Sequence, residues 1–412
     1  MSRIWLIQIG EPLPLDPAVR KMRTGLLSDR LVDRGHEVRW WASAFEHQRK
    51  IMAFGRDAEH PLRDGLALQI LKGCGYRRNV SLRRYLDHRL VAKKFRARAP
   101  SLPSPDIIVA SMPDYHLAWE AVRYAKVKQI PILVDVRDEW PDIFVEALPS
   151  GTLRILAKVL LTLDFRKLQW LLQNADGIVA MSEGLFQWSF SKISREPGPR
   201  DRIFYMGYKK LIPNPSATNL HDNLTEPHHK TIVYVGTFGR SYELGLLLKA
   251  ASILHGEGRK DVRFILAGTG EQEAALRRQA EALPNVLMPG WLNAGEIIRI
   301  LATAWVGVIP CRSVPGALPN KVFEYFSAGL PVVSSLEGEM EEAIASNHLG
   351  VNYRAGDLES LVKALRTLLN DEGLRNTMAA NAADFFRRRG DADIIYDAYS
   401  RHIEDLIRYR LT

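Results

Sequence analysis

The sequence is poor in cysteine, with only Cys74 and Cys311 in 412 residues. That excludes a disulfide framework and a four-thiolate zinc site, and it fits a reducing cytoplasm. Long hydrophobic runs are missing too. No apolar stretch approaches the roughly 20 residues of a membrane-spanning helix. The opening Met1 to Gly10 has one basic residue and too short an apolar run for a secretory signal, so none is expected. Metal-ligand spacing is also lacking. His47 and His60 have no partners at ligand spacing, His228 and His229 fall in a polar stretch, and Asp135 and Asp138 stand three apart. No metal or other cofactor is expected. No repeat of about 20–50 residues recurs, which excludes a solenoid.

What is present is an ordinary globular composition, 46% hydrophobic and 25% charged, at a length that favours two or three domains. The net charge of +9 is unevenly spread. Residues 1–210 hold 35 Lys and Arg against 23 Asp and Glu, whereas the remainder holds 21 against 24. The excess points to an N-terminal half that faces phospholipid headgroups or nucleic acid, unless it serves solubility alone.

The chain opens with a strand, Ile4 to Ile9, then a loop with Gly10, Pro12, Pro14 and Pro17. Met22, Leu26, Leu27 and Leu31 follow at helical spacing, Arg34-Gly35 stops the helix, and Val38 to Trp41 is a second strand. Strand, helix and strand in this order predict a parallel sheet. The rhythm recurs at Ile107–Ala110, Leu117–Lys126, Ile132–Val136 and Gly177–Ala180. A polar linker from Gly207 to Lys230 interrupts it. It restarts with Ile232–Val235 running into Gly236-Thr-Phe-Gly239, and Phe264–Ala267 running into Gly268-Thr-Gly270. Val306–Ile309 and Pro331–Ser334 supply more strands. The expected fold class is α/β: two doubly wound, parallel-sheet, Rossmann-like domains facing across a cleft, with ligands at the strand carboxyl ends. The expected boundaries are 1–212, 213–385 and a helical segment, 386–412.

Two helices stand out in the first half. Residues 81–98 place Leu82, Tyr85, Leu86, Leu90, Val91 and Phe95 along one side, with Arg83, Arg84, Arg89, Lys93, Lys94, Arg96 and Arg98 over the rest. This is either a membrane-surface helix or a packed helix with a solvated basic face. Leu153 to Leu172 is apolar almost all round and reads as one helix, deeply buried or sunk in a membrane interface.

Chemistry concentrates in the second half. Gly236, Gly239 and Arg240 open a helix after a strand, as Gly268 and Gly270 do one unit later; such turns let a phosphate approach free N–H groups. Neither spells the full G-x-G-x-x-G of a dinucleotide enzyme. In Leu318-Pro-Asn-Lys-Val-Phe-Glu-Tyr-Phe-Ser-Ala-Gly-Leu-Pro-Val-Val333, Lys321 and Glu324 share a helical face. The lysine can neutralise a diphosphate and the carboxylate can accept two ribose hydroxyls; the alternative is an exposed ion pair on a capped helix.

The ordered set Arg34-Gly-His-Glu-Val38, Arg137-Asp-Glu-Trp-Pro141, Tyr234-Val-Gly-Thr-Phe-Gly239, Gly268-Thr-Gly270 and Pro319-to-Val333 resembles the family 4 glycosyltransferases. These are retaining enzymes of the GT-B fold, and the likeness is greatest to the subgroup that builds bacterial surface polysaccharides. The resemblance implies a C-terminal domain that binds a nucleotide sugar, UDP-linked, and an N-terminal domain that receives the acceptor. Glu324 matches the second glutamate of the family's E-x7-E signature, whereas the first falls at Gly316. Thr237 and Glu243 stand where the family's diphosphate-gripping Arg and Lys usually do, which leaves Arg240 and Lys321 as substitutes. Asn320 belongs to the same donor set, and Trp291, near a strand end, is placed to stack on the base.

Among N-terminal residues, Asp138 is expected to orient the acceptor hydroxyl, and Arg137 to meet the phosphate or pair with Asp138. His116 lines the cleft, and Glu11 is a weaker candidate of the same kind. The resemblance further implies that the leaving phosphate assists the acceptor hydroxyl, so that neither a protein nucleophile nor a bound metal is needed. The expected partners are a nucleotide-sugar donor, a lipid-linked saccharide acceptor and an anionic membrane surface met by Arg83, Arg84, Lys93 and Lys94, with no nucleic acid. The expected location is the cytoplasm, peripheral at the inner face of the membrane. Two other readings remain: a nucleotide-sugar 2-epimerase, which shares the fold, and a nucleic-acid-binding protein using the basic half.

Overall fold

The computed structural model describes residues 1–15, 19, 21–79, 81–146, 148–209, 229–312 and 320–409. The chain divides into two units, Met1–Met206 with Ile394–Thr412, and Gly207–Asp393. The changeovers thus fall at 206/207 and 393/394, and the C-terminal segment counts with the first unit.

In the first unit the chain runs β1 (Arg3–Ile7), α1 (Arg23–Asp33), β2 (Glu37–Ser43), β3 (Phe45–Glu46), β4 (Ile51–Met52), β5 (Ala58–Arg63), β6 (Leu66–Leu71) and α2 (Leu82–Arg98). It continues as β7 (Ile107–Met112), α3 (Tyr115–Lys128), β8 (Ile132–Val136), α4 (Asp142–Glu146), α5 (Gly151–Leu160), α6 (Thr162–Asn174), β9 (Gly177–Ala180), α7 (Glu183–Ser191) and β10 (Arg202–Ile203). The sheet order is β10-β9-β8-β7-β1-β2-β6-β5. All neighbours are parallel except the β5–β6 hairpin, while β3 and β4 pair separately as a short antiparallel ribbon. β1 is central, with Ile4 opposite Val38 on one side and Ile107 on the other. Its continuous apolar run is what a strand covered on both faces requires. Trp5, Trp41 and Phe95 meet edge to face over it, with ring centroids 4.7–6.3 Å apart.

The hairpin is absent from the sequence reading, although its Asp64-Gly65 turn, with Gly65 at φ 78°, carries the signal. The expected single helix over 153–172 is two. α5 ends at Leu161, where the Thr162 hydroxyl donates back to the carbonyls of Lys158 (3.0 Å) and Val159 (2.8 Å) and competes with the helix ladder.

The second unit runs β11 (Lys230–Val235), α8 (Leu244–Gly256), β12 (Val262–Ala267), α9 (Glu273–Ala280), β13 (Val286–Gly290), α10 (Ala294–Thr303), β14 (Val306–Ile309), α11 (Asn320–Ser327), β15 (Val332–Ser334), α12 (Glu339–Ser346), β16 (Gly350–Asn352), α13 (Leu358–Asn370) and α14 (Glu372–Phe385). Its wholly parallel sheet is ordered β13-β12-β11-β14-β15-β16. The strand order reverses between β11 and β14, the position at whose carboxyl ends doubly wound sheets take their ligands.

The last helix, α15 (Ala392–Tyr409), packs its later turns on the first unit. Tyr396 and Tyr399 are fully buried there, and the Arg23 guanidinium lies 5.2 Å from the Tyr399 ring centre. Arg34 and His36 both hold Glu404, at 2.7–2.9 Å. The Arg-Gly-His motif after α1 is therefore a docking point for the C-terminal helix.

Candidate functional site

The second unit's site is built at its strand reversal. Gly236 ends β11 and Gly268 ends β12, and the two turns lie against each other. A Cβ on Gly268 would stand 1.9 Å from the Gly236 carbonyl oxygen, so no side chain fits. A Cβ on Gly236, at φ 148°, would meet the Lys321 ammonium at 2.7 Å. Glycine here makes room for the lysine. Lys321, on the first turn of α11, donates to the Tyr234 hydroxyl at 3.0 Å, and its Nζ lies 4.2 and 3.7 Å from the Tyr234 and Tyr242 ring centres. Burial pushes its pKa down to about 7, against the pull of Cys311 and Glu324. One turn on, Glu324 accepts a 2.7 Å hydrogen bond from the Tyr208 hydroxyl. Tyr325 is fully buried, and its hydroxyl accepts from the Val235 N–H at 2.9 Å, which ties α11 to the end of β11.

The structure thus brings Gly236, Gly268, Lys321 and Glu324 together at one strand end. Gly270 shares that turn, where a Cβ would meet the Phe238 carbonyl oxygen at 2.7 Å. Gly239 follows in the loop, and its carbonyl accepts from the Gln272 amide. Arg240 does not join Lys321. Its side chain is 86% exposed and paired with Glu271 at 3.2 Å. Glu243 is taken by the Gly356 N–H and by Arg312. Trp291 stands just past β13, exposed. Gly316, Pro319, the linker 210–228 and the side chain of Asn320 lie outside the described residues.

In the first unit the rim of the sheet holds Arg137, Asp138 and His116, each engaged differently from expectation. Arg137 meets Asp135 at 2.9 Å, the Thr24 hydroxyl at 2.9 Å and the Glu11 carboxylate, and it does not pair with Asp138. Arg23 donates to the same Asp135 at 2.9–3.2 Å and to the Phe204 carbonyl at 2.6 Å. Burial opposes the charge of Asp135, but Arg23 and Arg137 outweigh it and hold the carboxyl below its ordinary pKa. Glu11 also accepts from the Thr24 N–H and so occupies the start of α1. These residues form a buried network that pins loop, sheet and C-terminal helix.

Asp138 has both oxygens occupied, by the Glu139 N–H (2.9 Å) and the Trp140 indole N–H (3.0 Å), and burial raises its pKa. It positions Trp140. His116 is buried, and burial followed by Lys167 and Arg89 lowers its pKa to about 3, so the ring is neutral. Among the described residues, no group of three His, Cys, Asp or Glu is placed to hold a metal.

The expected membrane face is rearranged as well. α2, capped by Ser81, buries Asp87, His88, Val91, Ala92 and Phe95, whereas Leu82, Leu86 and Leu90 face water beside Arg89 and Lys93. Arg83 is tied to the carbonyls of Cys74 and Gly75, Lys94 pairs with Asp57 at 2.7 Å, and Arg84 turns inward over Trp140. Of the four expected cations, only Lys93 faces out unengaged. α5 buries none of its residues. No described helix is long and apolar enough to cross a membrane.

Sequence reasoning missed Tyr208, which fell in the expected polar linker, and the roles of Tyr234 and Tyr242, which lie on a strand and in the loop that follows it. It also missed the Asp135–Arg23 pair, whose partners are 112 residues apart.

The two parallel doubly wound units have the GT-B fold. Residues 229–371 match the family model "Glycosyl transferases group 1", which places a domain of that kind around Lys321 and Glu324. The sulfoquinovosyl transferase of Arabidopsis thaliana is 25% identical over 318 residues, covering 76% of this chain and 58% of that protein. A Campylobacter jejuni α-1,4-N-acetyl-D-galactosaminyltransferase, named for a diNAcBac-PP-undecaprenol-linked acceptor, is 24% identical over 192 residues, 45% of this chain and 52% of that protein. The match therefore spans somewhat over half the length of these curated relatives. The structure of the Anabaena protein HepE in complex with UDP superposes with a TM-score of 0.67 at 15% identity, covering 98% of this chain and 100% of that one.

Proposed function

We propose that the chain is a retaining, family 4 glycosyltransferase. It moves a sugar from a UDP-linked donor to a lipid-linked saccharide during bacterial surface-polysaccharide assembly, at the inner face of the cytoplasmic membrane and without a bound metal. The observation that carries the reading is the Lys321–Glu324 pair beside the Gly236 and Gly268 turns. A ribose placed on Glu324 sets its diphosphate toward Lys321, whose ammonium offsets the charge of the departing group. Tyr208 donates to one oxygen of that carboxylate, and the two tyrosines around Lys321 hold the ammonium without a competing carboxylate bond. The relatives' names support the class of donor and acceptor, and the basic first unit supports a membrane-side acceptor.

The test is transfer of label from a panel of radiolabelled UDP-sugars into the organic phase of a bacterial lipid extract. Label that moves in the wild type and stays behind in Glu324→Ala is the expected result. A donor whose sugar is epimerised without any acceptor would replace this reading with the 2-epimerase.

A further inference from the structure

We propose that the cavity at the foot of α5 holds the carrier of the acceptor: a long-chain lipid phosphate or diphosphate, with its phosphate on Arg84 and its chain leaving over Leu160 and Leu161. This rests on the reading of the chain as a transferase to a lipid-linked acceptor and adds where, and by what chemistry, the lipid is held.

The cavity measures about 500 Å³ and lies wholly in the first unit. Its walls are chiefly apolar and aromatic, with Leu82, Tyr115, Trp140, Phe144, Leu160 and Leu161 among them. Tyr115 and Trp140 stand just past β7 and β8, at the end of a doubly wound sheet where ligands collect. At least one charged group inside is incompletely used. Arg84 donates from Nη1 to the Asn79 carbonyl, but its Nε is sealed from solvent with no hydrogen-bond partner. Its guanidinium lies 4.5 Å from the Trp140 ring centre and 5.4 Å from that of Tyr76, aromatic neighbours that bring it no carboxylate. His116, 4% exposed, lines the same cavity with Nε2 unbonded, 3.9 Å from Asp164. Asp164 accepts from the Tyr85 hydroxyl at 3.3 Å and offers an acceptor to hydroxyl groups rather than to phosphate.

The surface outside continues the apolar wall. Ile155, Val159 and Leu160 are each about two-thirds exposed on α5, a helix whose only charges are Arg154 and Lys158, and Leu163 at the start of α6 is equally exposed. A ten-residue helix of this kind lies in a bilayer interface and does not span it. Leu82, Leu86 and Leu90 extend the patch on α2. On the far side of His116, a second cavity of about 430 Å³ is lined by Arg89, Lys93, Arg96 and Lys167, and its one carboxylate, Glu120, pairs with Arg96 and Arg123. An apolar cavity that holds Arg84 and adjoins a cation-lined one is complementary to an anionic amphiphile. A bilayer phospholipid keeps its headgroup at the surface, whereas a carrier must bring its phosphate to the strand ends. The latter is the occupant this cavity fits.

The experiment is calorimetric titration of the full chain with farnesyl diphosphate, alongside farnesol and inorganic diphosphate. Farnesyl diphosphate is expected to bind at least about tenfold more tightly than either part. Arg84→Gln and Leu160→Glu, the second a change at a surface position that cannot unfold the core, should each weaken it by about tenfold or more. Equal binding by both variants and wild type would overturn the proposal, as would inorganic diphosphate binding equally well. Displacement of farnesyl diphosphate by phosphatidylglycerol vesicles at matched lipid concentration would instead make bilayer phospholipid the occupant, and would also overturn it. A thermal shift with UDP is measured on the same protein. Its loss in the wild type with farnesyl diphosphate still bound would strike the donor reading and leave the cavity standing.

Discussion

The two units share one architecture and differ in what they show to water. Of the described large hydrophobic side chains that are exposed, the second unit contributes only Ile253 and Trp291. The first unit contributes those of α5 and the Leu82, Leu86 and Leu90 row, together with all of the excess positive charge. The interiors reverse the contrast. At the sheet rim the first unit neutralises the buried Arg23 and Arg137 with Asp135 and Glu11, whereas the second leaves Lys321 among tyrosines. One fold thus supports a closed ionic network, which holds structure, and an open cation, which awaits an anion. A buried charge lacking an ionic partner is costly to keep, and that cost is the mark of a site.

The largest effect is expected from removing the helix that completes the first unit. Deleting residues 394–412 uncovers Arg23 and discards the buried Tyr396, Tyr399, Ile403 and Leu406. Each such side chain is worth about 1.5–3 kcal/mol on burial, so the melting midpoint should fall by roughly 10 °C or more. An unchanged melt would show that the network stands without its lid. Next comes the surface contrast. Changing Ile155, Leu156, Val159 and Leu160 together to Ser should cut flotation with anionic vesicles by about tenfold or more, while Ile253→Ser with Trp291→Ser leaves it unchanged. Both sets are exposed, so melting should move by little. Equal flotation by the two variants would erase the distinction between the units.

Lys321 sharpens the internal contrast. With a folded pKa of about 7 against about 10.4 unfolded, the folded state binds fewer protons between these values, and stability from this residue grows as pH rises through that window. Ligand binding runs the other way. A diphosphate favours the charged lysine, so UDP affinity should fall by up to about tenfold per unit as pH climbs above 7. Lys321→Met should bind UDP weakly at every pH, and a wild-type profile equally flat would remove the lysine from the site. The smallest effect belongs to Glu404, whose pKa is lowered to about 2 by Arg34, against burial, and then by His36. Glu404→Gln should melt about 1–3 °C lower at neutral pH. A depressed carboxylate stabilises above its unfolded pKa of about 4.3 and loses that effect on acidification toward 2, so the difference should close over that range.

Strands running into glycine turns were legible because buried parallel strands are continuous apolar runs and the turns need glycine. Lys321 and Glu324 were legible because helical spacing puts i and i+3 on one face. Partners across the fold were not. Arg137 stands one residue from Asp138 in sequence, yet the alternation of side chains and the buried Asp135 turn it the other way. The sequence put the leucines of α2 on one apolar side with Val91 and Phe95, membrane-facing or packed, but the inward arc of that helix is centred on Val91 and Phe95 and takes Asp87 and His88 with it, leaving Leu82, Leu86 and Leu90 outside. A pattern of residue types cannot say which side of an amphipathic helix the sheet will claim when both sides carry leucine.

The central claim is tested most directly by thermal melts with UDP, GDP, ADP and NAD at equal concentration. A ligand at about 100 times its dissociation constant adds ~2.7 kcal/mol, enough to move the midpoint visibly. The account predicts a shift with UDP alone that disappears in Glu324→Ala. A shift with NAD alone, or a UDP shift untouched by that substitution, would contradict it.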